Sequence, residues 1–409
     1  MHYLDANATE PLRPTARAAM LAALEVTGNP SSVHGAGRAA RRVVESARVT
    51  LAAQFGGRPE DLVFTSGATE ANALAIHALG AGDGPRRRRV ILGATEHDSV
   101  RAAAPDAAVL QVDRQGVADL EALAELLSDA LANDPGPALV CLILANNETG
   151  TLQPITEAAK LCRHRGAWLH VDAVQAAGRI PVDLAALGAH SLALSSHMLG
   201  GPLGAGALLL APEVSTITAL IRGGGQERGR RGGTPPVPAI AGFAAAAAFG
   251  LPRLTEPRDA ETQHDAATSR DAEIAHNAAT IRDADSLPDA ATLRDAIERI
   301  AVNAGALVCG GAAPRLANTT CLALPGVRAD AQVIALDLDG IAVSAGAACS
   351  SGKVTSSHVL AAMGLGALAG EAIRVSLPWN ATAADVDAFA AAYPRMAARL
   401  RAALAPRAA

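Results

Sequence analysis

The fold is decided by residues 191–210, which read SLALSSHMLGGPLGAGALLL. Two apolar runs of strand length, 191–196 and 206–211, flank a glycine-rich turn that begins with Ser195 and His197. Continuous apolarity over such a length is typical of a strand buried on both faces of a sheet. The turn gathers hydroxyl, imidazole and backbone N–H groups, which together favour a phosphate site.

Further apolar runs extend this pattern toward the N-terminus. They cover residues 62–65, 90–94, 108–112, 138–145 and 168–173. Ala/Leu-rich stretches of helical length separate them, and this alternation predicts an α/β fold with a mostly parallel seven-stranded sheet between helices. Ligands of such sheets bind beyond the carboxyl ends of the strands. Polar clusters follow the strands there, at 65–70, 95–97, 146–148, 172–175 and 195–197.

The sequence predicts a large domain, a linker and a small domain. We expect the large domain to cover residues 1–250, with residues 1–15 packing on the small domain. Residues 251–300 contain tandem twelve-residue units, within 258–293, whose polar composition favours an exposed linker helix. Residues 301–409 carry shorter strands and helices and predict a compact α+β domain.

Composition excludes several classes of function. Half of the 409 residues are hydrophobic, 18% are charged and the net charge is −5, which is a globular composition without a nucleic-acid footprint. No apolar segment is long enough for a signal peptide or a membrane span. Five cysteines without export signals predict reduced thiols in the cytoplasm, and no metal site is expected.

Four single residues are candidates for the site, and each of them also has an ordinary structural interpretation. Asp172 ends a strand, where a buried carboxylate caps a helix or keeps a pyridine nitrogen protonated. His97 either lies flat against such a ring or is a structural histidine. Arg374 alone is an ordinary salt-bridging arginine. Cys349, among Gly, Ala and Ser, is either an incidental loop cysteine or a nucleophile whose thiolate can move.

Longer motifs resolve these alternatives by resemblance. In chain order they read YLDANAT, GNPSSVHGAGR, VFTSGATEANALAI, TEHDSV, NNETGTLQPI, HVDAVQAAGRIPVD, GGGQERGRRGGTPPV, SAGAACSSG and IRVSL. Together they resemble the NifS/IscS-type cysteine desulfurases, which are pyridoxal phosphate (PLP)-dependent enzymes of fold type I in the class V aminotransferase group. The resemblance covers almost the whole chain except the repeat, and the loop around Cys349 is similar to that of the first desulfurase subgroup.

The resemblance implies a cofactor site. His97 would stack on the PLP ring, and Asp172 would pair with its nitrogen. The ring's phenolic oxygen and the substrate would be positioned by Asn147 and Gln175. The phosphate would be held by Thr69, Ser195 and His197, and by Thr234 from the other subunit of a homodimer.

The resemblance also implies a substrate and a reaction. Arg374 would clamp the carboxylate of L-cysteine. Cys349 would take the sulfur as a persulfide and leave L-alanine. The persulfide would then pass to an acceptor or scaffold protein of iron–sulfur cluster or thio-cofactor synthesis.

One position departs from the family pattern. The family lysine that binds PLP covalently follows S-x-H, where this chain has Met198, and a second family lysine is Leu203 here. A thioether forms no covalent bond with the PLP aldehyde and moves no protons. The chain contains two lysines, Lys160, which we expect on a helix surface, and Lys353, close to Cys349.

Three interpretations therefore stay open. The chain is a cysteine desulfurase whose turnover is abolished or nearly abolished. Alternatively, it is a non-catalytic homologue that keeps a non-covalent PLP site and serves iron–sulfur assembly as a scaffold or regulator. In the third, it is another class V PLP enzyme, such as an aminotransferase or a selenocysteine lyase.

Overall fold

A computed structural model describes residues 1–80, 89–133, 138–214, 216–248, 289–346 and 356–404. Cys349, Lys353 and most of the twelve-residue repeat lie outside the described residues, so the expected mobile cysteine loop and most of the linker helix do as well. The described strands are β1 His2–Tyr3, β2 Leu62–Thr65, β3 Val90–Gly93, β4 Ala108–Leu110, β5 Leu139–Ile143, β6 Trp168–Asp172, β7 Ser191–Ser195, β8 Gly206–Leu210, β9 Leu307–Cys309, β10 Thr319–Ala323, β11 Ile341–Ala342, β12 Ser344–Ala345 and β13 Ala372–Ser376. The described α-helices are α1 Pro14–Leu24, α2 Gly35–Gln54, α3 Ala68–Leu79, α4 Asp98–Ala103, α5 Leu120–Asn133, α6 Ile155–His164, α7 Leu184–Leu187, α8 Val237–Ala248, α9 Ala290–Asn303, α10 Ala329–Leu338, α11 His358–Ala362 and α12 Ala383–Leu404.

The large sheet has seven strands in the order β2-β8-β7-β6-β5-β3-β4. β8 runs antiparallel to both its neighbours, and the other paired strands are parallel. Strands β5, β7 and β8 are buried at every residue, because helices cover the sheet and leave no polar face. The predicted mostly parallel seven-stranded sheet is confirmed, and the carboxyl ends of β5, β6 and β7 meet at one edge.

The C-terminal part is a four-stranded antiparallel sheet in the order β12-β13-β10-β9. Its apolar core includes Leu336 of α10 and the stacked rings of Phe389 and Tyr393 of α12, whose centroids are 4.9 Å apart. The run IAVSA, which predicts one strand, is divided at Val343 into β11 and β12. The division has a physical reason, since β11 pairs with β1 and β12 pairs with β13.

The N-terminal segment contacts both parts of the chain. β1 pairs in parallel with β11, and Leu4 is fully buried in the apolar core of the C-terminal part. A few residues later, the N–H of Glu10 donates to the carbonyl of His197 over 3.0 Å, and the N–H of Arg13 donates to the carbonyl of Gly200 over 2.8 Å. The first 13 residues thus connect the C-terminal part of the chain to the turn after β7.

No helix in the described ranges is both long enough and apolar enough to cross a membrane. The longest, α12, has charged residues throughout and begins with a capping interaction at its first turn. There the N–H of Thr382 donates to the Asp385 carboxylate over 2.8 Å.

Candidate cofactor site

A cavity of about 450 Å³ opens at the carboxyl edge of the large sheet. Its lining contains eight residues predicted for the site from sequence: Thr69, His97, Asn147, Asp172, Gln175, Ser195, His197 and Met198. They come from the ends of β5, β6 and β7, from the start of α3 and from the residue before α4. The edge predicted to bind a ligand is therefore the edge at which these side chains meet.

One end of the cavity is suited to an anion. Helix α3 begins after Gly67, which offers no side-chain cap, so the first N–H groups of the helix are available to a ligand. A Cβ added to Gly67 would meet nothing within 4 Å on the described chain. Beside it, the buried Oγ of Ser195 finds no hydrogen-bond partner among the described residues. An orphaned hydroxyl next to an uncapped helix fits a phosphate group.

His197 lies at the same end, and its tautomer follows from its neighbour. The hydroxyl of Thr9 donates to the carbonyl of Ala8 over 2.6 Å, so its oxygen accepts the hydrogen of His197 Nδ1 over 3.2 Å. Burial lowers the pKa of His197. The neutral ring therefore carries its proton on Nδ1, and a bound phosphate dianion would raise this pKa by favouring the imidazolium.

Asp172 supplies the buried carboxylate. Its Oδ1 accepts the N–H of Val174 over 3.1 Å, and its Oδ2 accepts Nδ2 of Asn72 over 2.8 Å. Burial raises the pKa of Asp172, whereas the nearby His97 and these two donors act in the opposite direction. The segment after Asp172 is a turn and no helix begins there, so the helix-cap interpretation of this residue is wrong.

His97 combines a structural bond with a position on the cavity. It caps α4, since its Nδ1 accepts the backbone N–H of Ser99 over 3.1 Å. A neutral ring that accepts at Nδ1 carries its proton on Nε2. The imidazole is thereby fixed in one orientation beside the Asp172 carboxylate.

Gln175 is oriented by Arg179, a residue that sequence reasoning did not single out. A guanidinium only donates, so its 2.8 Å bond to the Gln175 side chain identifies the acceptor as Oε1. Nε2 of Gln175 then donates to the carbonyl of Asn7 over 3.0 Å and lies 3.7 Å from Sδ of Met198. Gln175 consequently offers a donor on the side of Met198.

Met198 lies in a short 3₁₀ turn directly after β7 and is 8% exposed. Lys160 is exposed on α6, as predicted, and does not line the cavity. Leu203 lines the rim and is 68% exposed. Within the described ranges, no amine therefore borders this cavity.

Two predicted site residues do not line it. Arg374 is fully buried on β13, where it donates to Oδ1 of Asp5 over 2.8 Å and to the carbonyl of Asn147 over 3.1 Å. Thr234 is exposed, in the segment before α8. Neither belongs to the wall of this cavity in a single chain.

Sequence reasoning also missed two asparagines at the site. Asn7 lines the cavity and binds the Asn147 carbonyl and the Thr319 hydroxyl, which lie in different parts of the chain. Asn72 is fully buried and donates to Asp172. Both lie in motifs quoted above, YLDANAT and VFTSGATEANALAI, but an asparagine within a motif has no spacing signal of its own.

A mostly parallel sheet that presents an anion end, a buried carboxylate and an imidazole at one edge defines a PLP-dependent enzyme of fold type I. Comparison with known proteins gives the family. The chain belongs to the aminotransferase class-V family, whose model matches residues 2–282 and 278–389.

Full-length relatives agree with this assignment. An IscS-like cysteine desulfurase of Mycobacterium tuberculosis is 36% identical, over 98% of this chain and 97% of its own length. A cysteine desulfurase of Cereibacter sphaeroides is 39% identical, over 98% and 96%. The crystal structure of a NifS-like protein from Rickettsia africae superposes with a TM-score of 0.79 at 33% identity and covers 97% of this chain and 99% of that one.

Proposed function

We propose that this cavity binds PLP and that the chain is a cysteine desulfurase by descent whose turnover is limited by Met198. The observation that carries the proposal is the meeting, in one cavity, of the uncapped start of α3, the orphaned Oγ of Ser195 and the buried carboxylate of Asp172. An anion, a hydroxyl acceptor and a pyridine nitrogen would satisfy all three, and PLP carries these groups on one small molecule.

Each residue has a task that its surroundings support. The N–H groups of α3, Thr69, Ser195 and His197 hold the phosphate. Asp172 holds the proton of the ring nitrogen, so that the bound cofactor acts as an electron sink. His97 would present its imidazole to the ring, and Nε2 of Gln175, beside Asn147, would donate to the phenolic oxygen.

The substrate is L-cysteine. Its carboxylate binds Arg374, which must first exchange Asp5 for it, because Asp5 holds Nη2 of that arginine. The sulfur passes to Cys349 as a persulfide, and L-alanine is released. An acceptor or scaffold protein of iron–sulfur or thio-cofactor synthesis then takes the sulfur.

Met198 stands at the position of the family lysine and argues for a second candidate function. The covalent link and the proton transfers that an amine would provide are missing from the described wall of the cavity. A non-catalytic homologue that binds PLP non-covalently and acts as a scaffold or regulator requires neither. Retention of Asp172, His97 and the anion end suits both candidates.

We further infer a homodimer in the cytoplasm. Thr234 is exposed and does not line its own cavity, as expected of a residue that serves a partner's cofactor. Exposed apolar side chains include Leu21 and Leu24 of α1, and Val33, Leu220 and Ile221. The four described cysteines are free thiols, which is the usual state in a reducing compartment.

A PLP titration tests the proposal. The visible absorbance of PLP should change on binding to the purified protein, and Asp172→Asn should weaken binding while Lys160→Ala should not. Borohydride reduction followed by peptide mapping then looks for a covalent adduct, and none is expected. Failure of PLP to bind would remove the proposed function, and an adduct on Lys353 would remove the limit that we assign to Met198.

A further inference from the structure

A chain of buried, hydrogen-bonded side chains leads to the carboxylate of Asp172, and none of its members lines the cavity. The chain runs from Ser191 of β7 to His170 of β6, and from there to Asn72 of α3. The distances are 2.8 Å between Ser191 Oγ and His170 Nδ1, and 3.0 Å between His170 Nε2 and Asn72 Oδ1. Asn72 Nδ2 is 2.8 Å from the carboxylate of Asp172. Ser191, His170 and Asn72 are all fully buried.

The direction of every bond in this chain is fixed. A carboxylate only accepts, so Asn72 turns Nδ2 toward Asp172 and Oδ1 toward His170. His170 must therefore carry its hydrogen on Nε2, and its Nδ1 accepts from the hydroxyl of Ser191. Burial lowers the pKa of His170 to about 3, which keeps the ring neutral in this single tautomer.

The same amide also reaches the imidazole beside the cavity. Nδ2 of Asn72 donates its second hydrogen to Ser99 Oγ over 2.9 Å, and this hydroxyl is 2.8 Å from Nδ1 of His97. The three polar bonds of Asn72 are thus divided among His170, Asp172 and Ser99. Rotation of the amide would break all three at once and would place its oxygen against the carboxylate.

We propose that Asn72 and His170 are positioning residues that hold Asp172 ionised and oriented for the ring nitrogen of the cofactor. The inference rests on the proposed PLP site. A buried carboxylate reverts to its neutral form unless donors stabilise its charge. Asn72 is such a donor, and His170 is what prevents its amide from turning. The ring nitrogen then keeps its proton because Asp172 keeps its negative charge.

A pair of ligands separates this role from a purely structural one. PLP depends on the pairing of its ring nitrogen with Asp172, whereas an analogue with C–H in place of that nitrogen does not. Loss of the His170 donor in His170→Phe should weaken PLP binding by about fivefold, the usual net effect of one neutral hydrogen bond, and leave binding of the analogue unchanged. His170→Gln, which keeps a donor, should restore the preference for PLP.

Asn72→Leu provides a second, independent variant, and Asp172→Asn marks the complete loss of preference. Equal weakening of both ligands, or an unchanged preference in His170→Phe and Asn72→Leu, would show that the chain is only structural and would overturn the inference. If the wild-type protein binds neither ligand, the proposed function itself is wrong. If it binds both and only the variants behave differently from expectation, the PLP site stands and the positioning role does not.

Discussion

The side-chain amide of Gln175 lies 3.7 Å from the sulfur of Met198, at the inner wall of the cavity. Arg179 holds the other end of that amide, so its donor cannot turn away from the sulfur. A weak sulfur acceptor is thus all that meets Nε2 of Gln175 on this side. The unbranched methionine side chain is slightly shorter than that of lysine and has neither its charge nor its nucleophilic amine.

Met198→Lys should therefore give the cavity a reactive amine. Burial at 8% exposure lowers the pKa of an introduced lysine, and a neutral amine attacks an aldehyde. We expect a PLP adduct that borohydride fixes on residue 198. If the desulfurase assignment holds, release of sulfide from L-cysteine should rise about 10²–10⁴-fold, the range of one positioned acid–base group.

Two variants control this experiment. Leu203→Lys places an amine on the exposed rim of the same cavity, and Met198→Leu changes the wall without adding an amine. Neither should give any PLP adduct that borohydride fixes, and neither should gain activity. A Met198→Lys protein that binds PLP without any adduct would show that position 198 is not where the family amine belongs.

Ser195→Ala should have opposite effects on the free protein and on PLP binding. The buried Oγ of Ser195 has no partner in the described chain, so its removal should leave the free protein as stable, or more stable by about 1 kcal/mol. PLP affinity should fall about tenfold because the phosphate loses a donor. Thermal unfolding with and without PLP measures both effects.

Ser196→Ala is the matched control. Ser196 is the next residue, and its Oγ is also buried without a partner among the described residues, but it does not line the cavity. The variant should share the gain in stability and keep the PLP affinity. Equal loss of affinity in both variants would remove Ser195 from the phosphate site.

The sequence was sufficient for the sheet and for the edge that carries the site. Apolar runs without alternation have one physical explanation, burial on both faces, so all seven strands were located within about two residues of their observed ends. The polar residues after them followed from the same topology. The division of IAVSA at Val343 did not, because it depends on two partners distant in sequence, β1 and β13.

Side-chain contacts between motifs that are distant in the sequence could not be predicted from it either. Gln175 could be placed near the cofactor from its motif, but its orientation depends on Arg179, which in turn pairs with Glu10 over 3.1 Å. The pairing of Arg374 with Asp5 joins β13 to the N-terminal segment across 369 residues. Contacts of this kind form only when distant parts of the chain pack together, so no local spacing in the sequence predicts them.

The stability of the protein should depend on pH through His170. Its pKa is about 3 in the folded chain and 6.5 in the unfolded chain. Above pH 6.5 the ring is neutral in both states, whereas below it only the unfolded state takes up the proton, so stability falls as the pH falls. The free energy of unfolding should lose about 1.4 kcal/mol per pH unit through this group.

His170→Gln removes that dependence while keeping a donor for Asn72. The packing cost of the substitution is the same at each pH, so the gap between wild type and variant should narrow by roughly 2–3 kcal/mol from pH 7 to pH 4.5. Urea unfolding at several pH values measures it. His164→Gln, which removes an exposed histidine, is the control, and a constant gap for His170→Gln would mean that His170 is protonated in the folded protein.

Removal of the Asp5 carboxylate should destabilise the protein, because Arg374 is buried and charged. The guanidinium of Arg374 is fully buried and donates to the carboxylate of Asp5. The hydroxyl of Ser344 also donates to that carboxylate, over 2.7 Å. Removing one partner of a buried pair leaves a charge without compensation, so Asp5→Ala should lower the free energy of unfolding by about 3 kcal/mol. Asp5→Asn keeps an acceptor oxygen and should cost less.

A carboxylate ligand distinguishes a substrate clamp from a structural ion pair. If Arg374 binds the substrate, the place left by Asp5 is open to the carboxylate of L-cysteine or L-alanine. In the presence of PLP, either amino acid should then raise the melting temperature of Asp5→Ala more than that of the wild type, since the Asp5 carboxylate no longer competes for Arg374. Ser344→Ala weakens the hold on Asp5 without removing the ion pair and should respond as the wild type does. Equal responses of Asp5→Ala and wild type would assign the Arg374–Asp5 pair to the architecture alone.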